Sequence, residues 1–126
     1  MYQHFQQHIQ DMRRFSSQDF REKAYQALLF LLGSQRCSLD DLATHFTIHP
    51  RTLNRRLKES GTSFRELHNE ARRQTASQLL RDTRTSIETI AALLGFSDGT
   101  AFNRAFSQWE GVSPGKWRRQ TQLKRD

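Results

Sequence analysis

Apolar positions recur along this chain in threes and fours rather than in alternation, and glycine, serine and proline cut them into short helical segments. The run from Arg21 to Leu32 is apolar nearly all round, which predicts a helix buried on several sides, with Gly33 as its stop. Ser38, followed three residues on by Asp41, has the form of a capping box for a helix to about Phe46. Pro50 suits the first position of a helix that stops at Gly61. Ser63 with Glu66 repeats the start signal for a long helix to about Asp82, whose Phe64, Leu67, Ala71 and Leu79 are spaced to give one buried stripe. Ser86 opens the next helix and Gly95 closes it. Ser97 or Asp98 caps another that ends before Gly111, and Ser113-Pro114 start a last one through Trp117. With no strand pattern anywhere, the expectation is an all-α fold of about seven helices.

Two of these stretches echo each other. Ser38-Leu39-Asp40-Asp41-Leu42-Ala43, a turn, then Leu53-Asn54-Arg55-Arg56-Leu57 is matched by Ser86-Ile87-Glu88-Thr89-Ile90-Ala91, a turn, then Phe102-Asn103-Arg104-Ala105-Phe106. Each copy reads as helix, tight turn, helix, which is the layout of a DNA-reading helix-turn-helix. A solenoid needs about three or more such units, so two copies predict instead a pair of units joined by the long helix. The expected organisation is a linker or frayed segment over 1–20, a first unit over 21–61, a linker helix over 62–83, a second unit over 84–120 and a basic tail over 121–126.

The second helix of each copy has two unlike sides. In the first, Leu53 and Leu57 lie four apart and dock, while Arg51, Asn54, Arg55 and Lys58 recur on the other side. In the second, Phe102, Phe106 and Trp109 dock, and Thr100, Asn103, Arg104 and Ser107 take the outer side by the same offsets. Arginine can donate two hydrogen bonds to guanine O6 and N7, and asparagine can both donate to and accept from adenine. Base contacts are therefore expected from Arg51, Asn54, Arg55, Thr100, Asn103 and Arg104. Lys58 and the helix starts at Ser38, Ser63, Ser86 and Ser113 are expected to hold phosphates through charge and free backbone N–H groups. A solvated basic face is the simplest reading of one such helix, but two faces that repeat Asn-Arg in register are harder to obtain from solubility alone.

Charge agrees with that direction. Lys and Arg number 20 against 13 acids, a formal balance of +7, which favours a polyanionic partner without telling DNA from RNA or a membrane surface. Across its 126 residues the chain has one cysteine, Cys37, which excludes an internal disulfide and a cysteine-rich zinc site. The apolar run Ala27-Leu28-Leu29-Phe30-Leu31-Leu32 is far shorter than the roughly 20 residues that span a bilayer. A cytoplasmic protein without membrane contact is expected.

The run Ser86 to Ala91, Leu94-Gly95-Phe96-Ser97-Asp98, Ala101 to Phe106 and Gly111-Val112-Ser113-Pro114 closely resembles the signature of the AraC/XylS family of bacterial transcription regulators. Pro50 to Leu57 and Gly61 to Leu67 look like the first half of the same DNA-binding domain, and the likeness covers about Ala24 to Gln120. The resemblance implies seven helices, two helix-turn-helix units bridged by a long helix, and binding of asymmetric promoter sites as an activator that contacts RNA polymerase. It also implies an effector and dimerisation domain ahead of this segment. Three residues depart from the pattern. Thr47 stands where the second copy has Gly95, His49 replaces a serine cap, and Ser107 takes a place usually basic in the family. A β-branched residue tolerates positive φ poorly, so the first turn is expected to be strained or differently built.

The same chain admits other readings. Phe64, Phe96, Phe102, Phe106, Trp109 and Trp117 are candidate stacking platforms for single-stranded RNA, but their helical spacing fits a core. His4 and His8 make half of a metal site with no acidic or thiol partner nearby, and His45, His49 and His68 are placed near phosphates or the surface. No phosphate-cradling glycine loop and no nucleophile-base set with distinctive spacing appears, so neither an enzyme, a cofactor nor a metal is expected. The alternative of a different class is an all-α interaction module whose basic faces dock an acidic protein.

Overall fold

The computed structural model describes residues 19–34 and 36–125, and every regular element within them is a helix. Helix α1 covers 19–34, followed by α2 (Leu39–His45), α3 (Pro50–Glu59), α4 (Phe64–Asp82), α5 (Ile87–Leu93), α6 (Gly99–Glu110) and α7 (Pro114–Arg125). The expected seven helices are present among the described residues. His4, His8 and the expected linker up to residue 18 lie outside them.

Side chains close most helix starts. Ser38 Oγ accepts from the Asp41 N–H at 3.0 Å while the Asp41 carboxylate accepts from the Ser38 N–H at 3.1 Å, a complete capping box. At Ser63 only half of the box forms, because the Glu66 carboxylate turns to the Thr62 hydroxyl at 3.2 Å. Asp98 rather than Ser97 caps α6, its carboxylate accepting from the Ala101 N–H at 2.8 Å. His49 stands in for a hydroxyl cap through Nδ1, which accepts from the Arg51 N–H at 3.0 Å ahead of Pro50.

Three expectations are corrected at the ends. Asp19 and Phe20 belong to α1 and Phe20 is buried, so the first unit begins earlier than residue 21. Gly33 lies inside α1 instead of stopping it, and the Ser34 hydroxyl donates to the Leu31 carbonyl in the last turn. A glycine without a positive φ carries no stop signal, and Gly33 has none. Residues 121–125 continue α7 rather than forming a tail.

The apolar run of α1 is buried along one side only. Phe20, Ala24, Ala27, Leu28, Leu31 and Leu32 enter the core, whereas Phe30 is 70% exposed. On the long helix α4 the buried positions are Leu67, Ala71, Ala76 and Leu80, with Phe64 and Leu79 packed beside them half-buried. The stripe therefore drifts round the helix, since 3.6 residues per turn does not hold a straight row over 19 residues.

One apolar cluster runs through both halves. In the first, Phe20 meets Phe46 at 5.4 Å between ring centroids, and Arg56 covers Phe20 at 4.1 Å. In the second, Phe102 and Phe106 are fully buried, with Phe96, Trp109 and Trp117 around them. These rings are core, as their spacing predicts. Helix α7 lies against α4, and Arg118 ties the two by donating from Nε to the Leu80 carbonyl at 3.0 Å and from Nη2 to the Leu79 carbonyl at 3.4 Å. Both carbonyls belong to the last turn of α4, where acceptors run short of helical partners; Leu79 is also met by the Thr83 N–H at 3.1 Å and the Thr83 hydroxyl at 2.6 Å, whereas Leu80 relies on Arg118.

Candidate nucleic-acid interface

The two helix-turn-helix units have the same turn, bond for bond. The Thr47 N–H donates to the Thr44 carbonyl and the Ile48 N–H to the Ala43 carbonyl, each at 3.0 Å. Forty-eight positions later, Gly95 donates to Ala92 at 3.1 Å and Phe96 to Ala91 at 3.0 Å. The turn residue is left-handed in both, with φ 57° at Thr47 and 83° at Gly95. The strained alternative expected for the first turn is the one found. An extra residue, Ser97, then shifts the register by one before the second helix begins.

Each second helix divides as its sequence predicts. Leu53 and Leu57 on α3, and Phe102 and Phe106 on α6, are fully buried. Arg51, Asn54, Arg55 and Lys58 on α3, and Thr100, Asn103 and Arg104 on α6, are exposed. Arg55 is 68% exposed and lies 3.9 Å from Glu59 one turn on, a pairing weak enough for a better acceptor to displace. Ser107 is half-buried, so it adds little to the outer face.

A cleft of about 480 Å³ opens beside the second of these helices, lined by Ile87, Glu88, Gly99, Thr100, Asn103, Ser113 and Gly115. Apart from Asn103, which lies one turn further along α6, these residues are at the starts of α5, α6 and α7, so three helix N-termini converge on one place next to Thr100 and Asn103. Helix N-termini concentrate unpaired N–H groups and positive potential. Glu88 is the acid among them, and neither it nor the convergence is legible from spacing, because both depend on how α7 folds back.

The four helix-start serines are engaged locally. Ser63 and Ser113 accept from the N–H groups of Glu66 and Lys116, and Ser86 bonds both the N–H and the hydroxyl of Thr89. Ser38 is the most committed, since its N–H and hydroxyl both donate to the Asp41 carboxylate, and Asp40 and Asp41 add negative charge to that end of α2.

Among the histidines, His45 and His49 are exposed as expected, but His68 is not. It is half-buried on α4, stacked on Phe64 at 5.3 Å, and burial together with the Arg72 charge holds its pKa down to about 4. Cys37 is half-buried as well, its thiol pushed up to about 11 by burial. The residue that sequence reasoning missed is Arg72. Its guanidinium lies 4.3 Å from the Phe96 ring centroid and 5.8 Å from that of Trp109, and its Nη2 donates to Asn69 Oδ1 at 2.7 Å. No group of three metal-ligating side chains occurs among the described residues, and no helix there is long and apolar enough to cross a membrane.

Comparison with known proteins agrees with this geometry. The family described as helix-turn-helix domain matches residues 42–120. An HTH-type transcriptional regulator of Mycobacterium tuberculosis is 43% identical over 79 residues, which is 63% of this chain and 23% of that protein. The chain thus spans about a quarter of the length of the curated relatives it matches. Among solved structures, the C-terminal domain of AraT, a response regulator from Geobacillus stearothermophilus, superposes with a TM-score of 0.68 at 30% identity, covering 79% of this chain and 84% of that one. A transcriptional regulator with an AraC-type DNA-binding domain from Chromobacterium violaceum gives 0.70 at 28% identity, covering 82% and 93%.

Proposed function

The chain belongs to the AraC-type helix-turn-helix family of DNA-binding transcription regulators, and on that premise we propose that it reads double-stranded promoter DNA with α3 in one major groove and α6 in the next. The observation that carries the reading is the pair of outer faces, Arg51, Asn54 and Arg55 on one helix and Thr100, Asn103 and Arg104 on the other, each backed by fully buried docking residues. Arginine to guanine and asparagine to adenine are the expected bidentate pairs, each discriminating by about 1–3 kcal/mol. Thr100 meets a thymine methyl or a phosphate.

Lys58 and the helix starts after Ser63, Ser86 and Ser113 hold phosphates and set the register. Ser38 is the weakest of that set, because Asp41 already takes its donors. Helix α4, with 19 residues at about 1.5 Å each, is roughly 28 Å long, against about 34 Å for one turn of B-DNA. The shortfall is small enough for modest bending to let both helices engage.

In the full regulator this domain acts as an activator beside RNA polymerase, with effector sensing and dimerisation assigned to other parts of the protein. The AraT fragment is likewise the C-terminal domain of a response regulator.

Selection from a random duplex pool tests the reading. Enrichment of two half-sites about 10–10.5 bp apart, with salt-sensitive affinity, supports it. Indifference to duplex sequence, with binding to an acidic protein or to single strands instead, overturns it.

A further inference from the structure

We propose that Arg72 is a positioning residue that holds the second reading unit in a fixed orientation on the linker helix, and so sets the half-site spacing that the domain accepts. The inference rests on the duplex-reading function above.

Arg72 sits near the middle of α4, and its guanidinium faces two rings of the second unit, Phe96 from the turn and Trp109 from the last part of α6. It is half-buried, Nη2 is fixed on Asn69 at 2.7 Å, and Nε is buried with no hydrogen-bond partner among the described residues. The side chain is therefore held by the faces of aromatic rings more than by acceptors. Its charge is also felt at Cys37, in the segment that leads into α2, and Cys37 lines one cleft with His68 of α4 and Leu94 and Gly95 of the second unit, so the first unit, the linker and the second unit meet nearby. The adjacent residue on α4, Arg73, pairs with Glu110 at the end of α6. Two consecutive side chains of the linker thus grip the C-terminal end of the same helix.

The base-reading residues sit at its other end. From Trp109 back to Thr100 is about 14 Å along the axis, at about 1.5 Å per residue. A tilt of about 10° at the gripped end would move Thr100 by more than 2 Å, well beyond the few tenths of an ångström that separate a good hydrogen bond from a lost one. Packing alone does not require a cation here, since burial disfavours the charged form. What the guanidinium adds is direction, because its carbon sits over the Phe96 ring while its Nη2 reaches Asn69.

The test uses Arg72→Leu and Arg72→Lys in the whole chain, with duplexes chosen by the wild-type selection. Each protein is measured on the preferred two-half-site duplex, on versions with one base pair added or removed between the half-sites, and on one with the second half-site scrambled. Melting temperature is followed in parallel. For Arg72→Leu the expected result is a loss on the order of tenfold on the preferred duplex, the worth of one good base contact. Binding to the scrambled duplex should stay near wild type, and the spacing preference should flatten. Arg72→Lys keeps the charge without the flat face and should fall between the two. A folded Arg72→Leu with the wild-type spacing profile overturns the proposal, as does an equal loss on both duplexes. Should Arg72→Leu melt below the assay temperature, a wild-type profile in Arg72→Lys overturns it and a flattened one supports it. A wild-type chain with no preferred duplex would remove both readings, whereas a spacing preference shared by wild type and variants removes this one alone.

Discussion

Thr47 and Gly95 are the same residue of the same turn in two copies of one unit, both left-handed, at φ 57° and 83°. Each donates its N–H to the carbonyl three positions back, Thr44 in one case and Ala92 in the other. The geometry of the turn has been kept while the residue that adopts it without strain is present in only one copy.

Replacing Thr47 with Gly should therefore stabilise the domain. The gain is expected at about 1 kcal/mol or less, the relief of left-handed strain reduced by glycine's greater chain entropy. Gly95→Thr should destabilise by about 1–2 kcal/mol through the backbone alone, since nothing lies within 4 Å of a Cβ placed there. Urea unfolding midpoints measure both, and a destabilised Thr47→Gly would show that the threonine side chain holds the turn in some other way.

Loss of Arg55 should cost more DNA affinity than loss of Arg104. The first face carries Arg51, Arg55 and Lys58, whereas the second has Arg104 with a half-buried Ser107 and the acid Glu88 nearby. Each alanine substitution is expected to cost about 1–3 kcal/mol at a common promoter site. Titrations by fluorescence anisotropy that rank Arg104→Ala as the more damaging would contradict the order.

Glu88→Gln should move stability and binding in opposite directions. The carboxylate sits in the first turn of α5, where it favours the helix by about 0.3–1 kcal/mol. In the cleft beside Thr100 and Asn103 the same charge opposes an approaching phosphate. The variant should melt slightly lower yet bind duplex DNA about two- to fivefold tighter at low salt, with the gain fading as salt rises. Unchanged binding would place Glu88 away from the DNA.

Stability should fall as pH drops from about 6.5 to 4. His68 has its folded pKa depressed to about 4 from 6.5, so in that window the unfolded chain takes up a proton that the folded chain resists. The contribution is complete above pH 6.5 and is lost as pH falls towards 4. His68→Phe keeps a ring on Phe64 but cannot titrate, and its melting temperature should depend less on pH across this window than that of the wild type. Parallel curves for the two proteins would exclude His68 as the source.

Local rules carried most of the fold because most of its decisions are local. Ser38, Pro50, Ser63, Ser86 and Ser113 mark their helix starts through bonds no longer than four residues, and the split between Leu53-Leu57 and Asn54-Arg55 follows from helical period alone. The failures have the opposite character. Gly33 reads as a stop by composition, but a glycine stops a helix only where the chain turns left-handed, which the next segment decides. Phe30 looks buried in an unbroken apolar run, yet α1 has neighbours on one side. Arg72 carries no signal in its own segment; its partners Phe96 and Trp109 lie 24 and 37 residues on, and only the return of the second unit onto α4 brings them to it. The cleft at Glu88 was hidden for the same reason.

The hydrogen bond from Arg118 to the carbonyl of Leu80 bears on the order in which the domain assembles. Helices α1 to α3 and the first turns of α4 have their partners within reach as soon as they leave the ribosome. The far end of α4 is served only in part: Thr83 takes the Leu79 carbonyl at once, but the Leu80 carbonyl waits for a side chain synthesised almost forty residues later. During translation the first unit is thus expected to consolidate before the second, and this domain to mature from α1 towards α7.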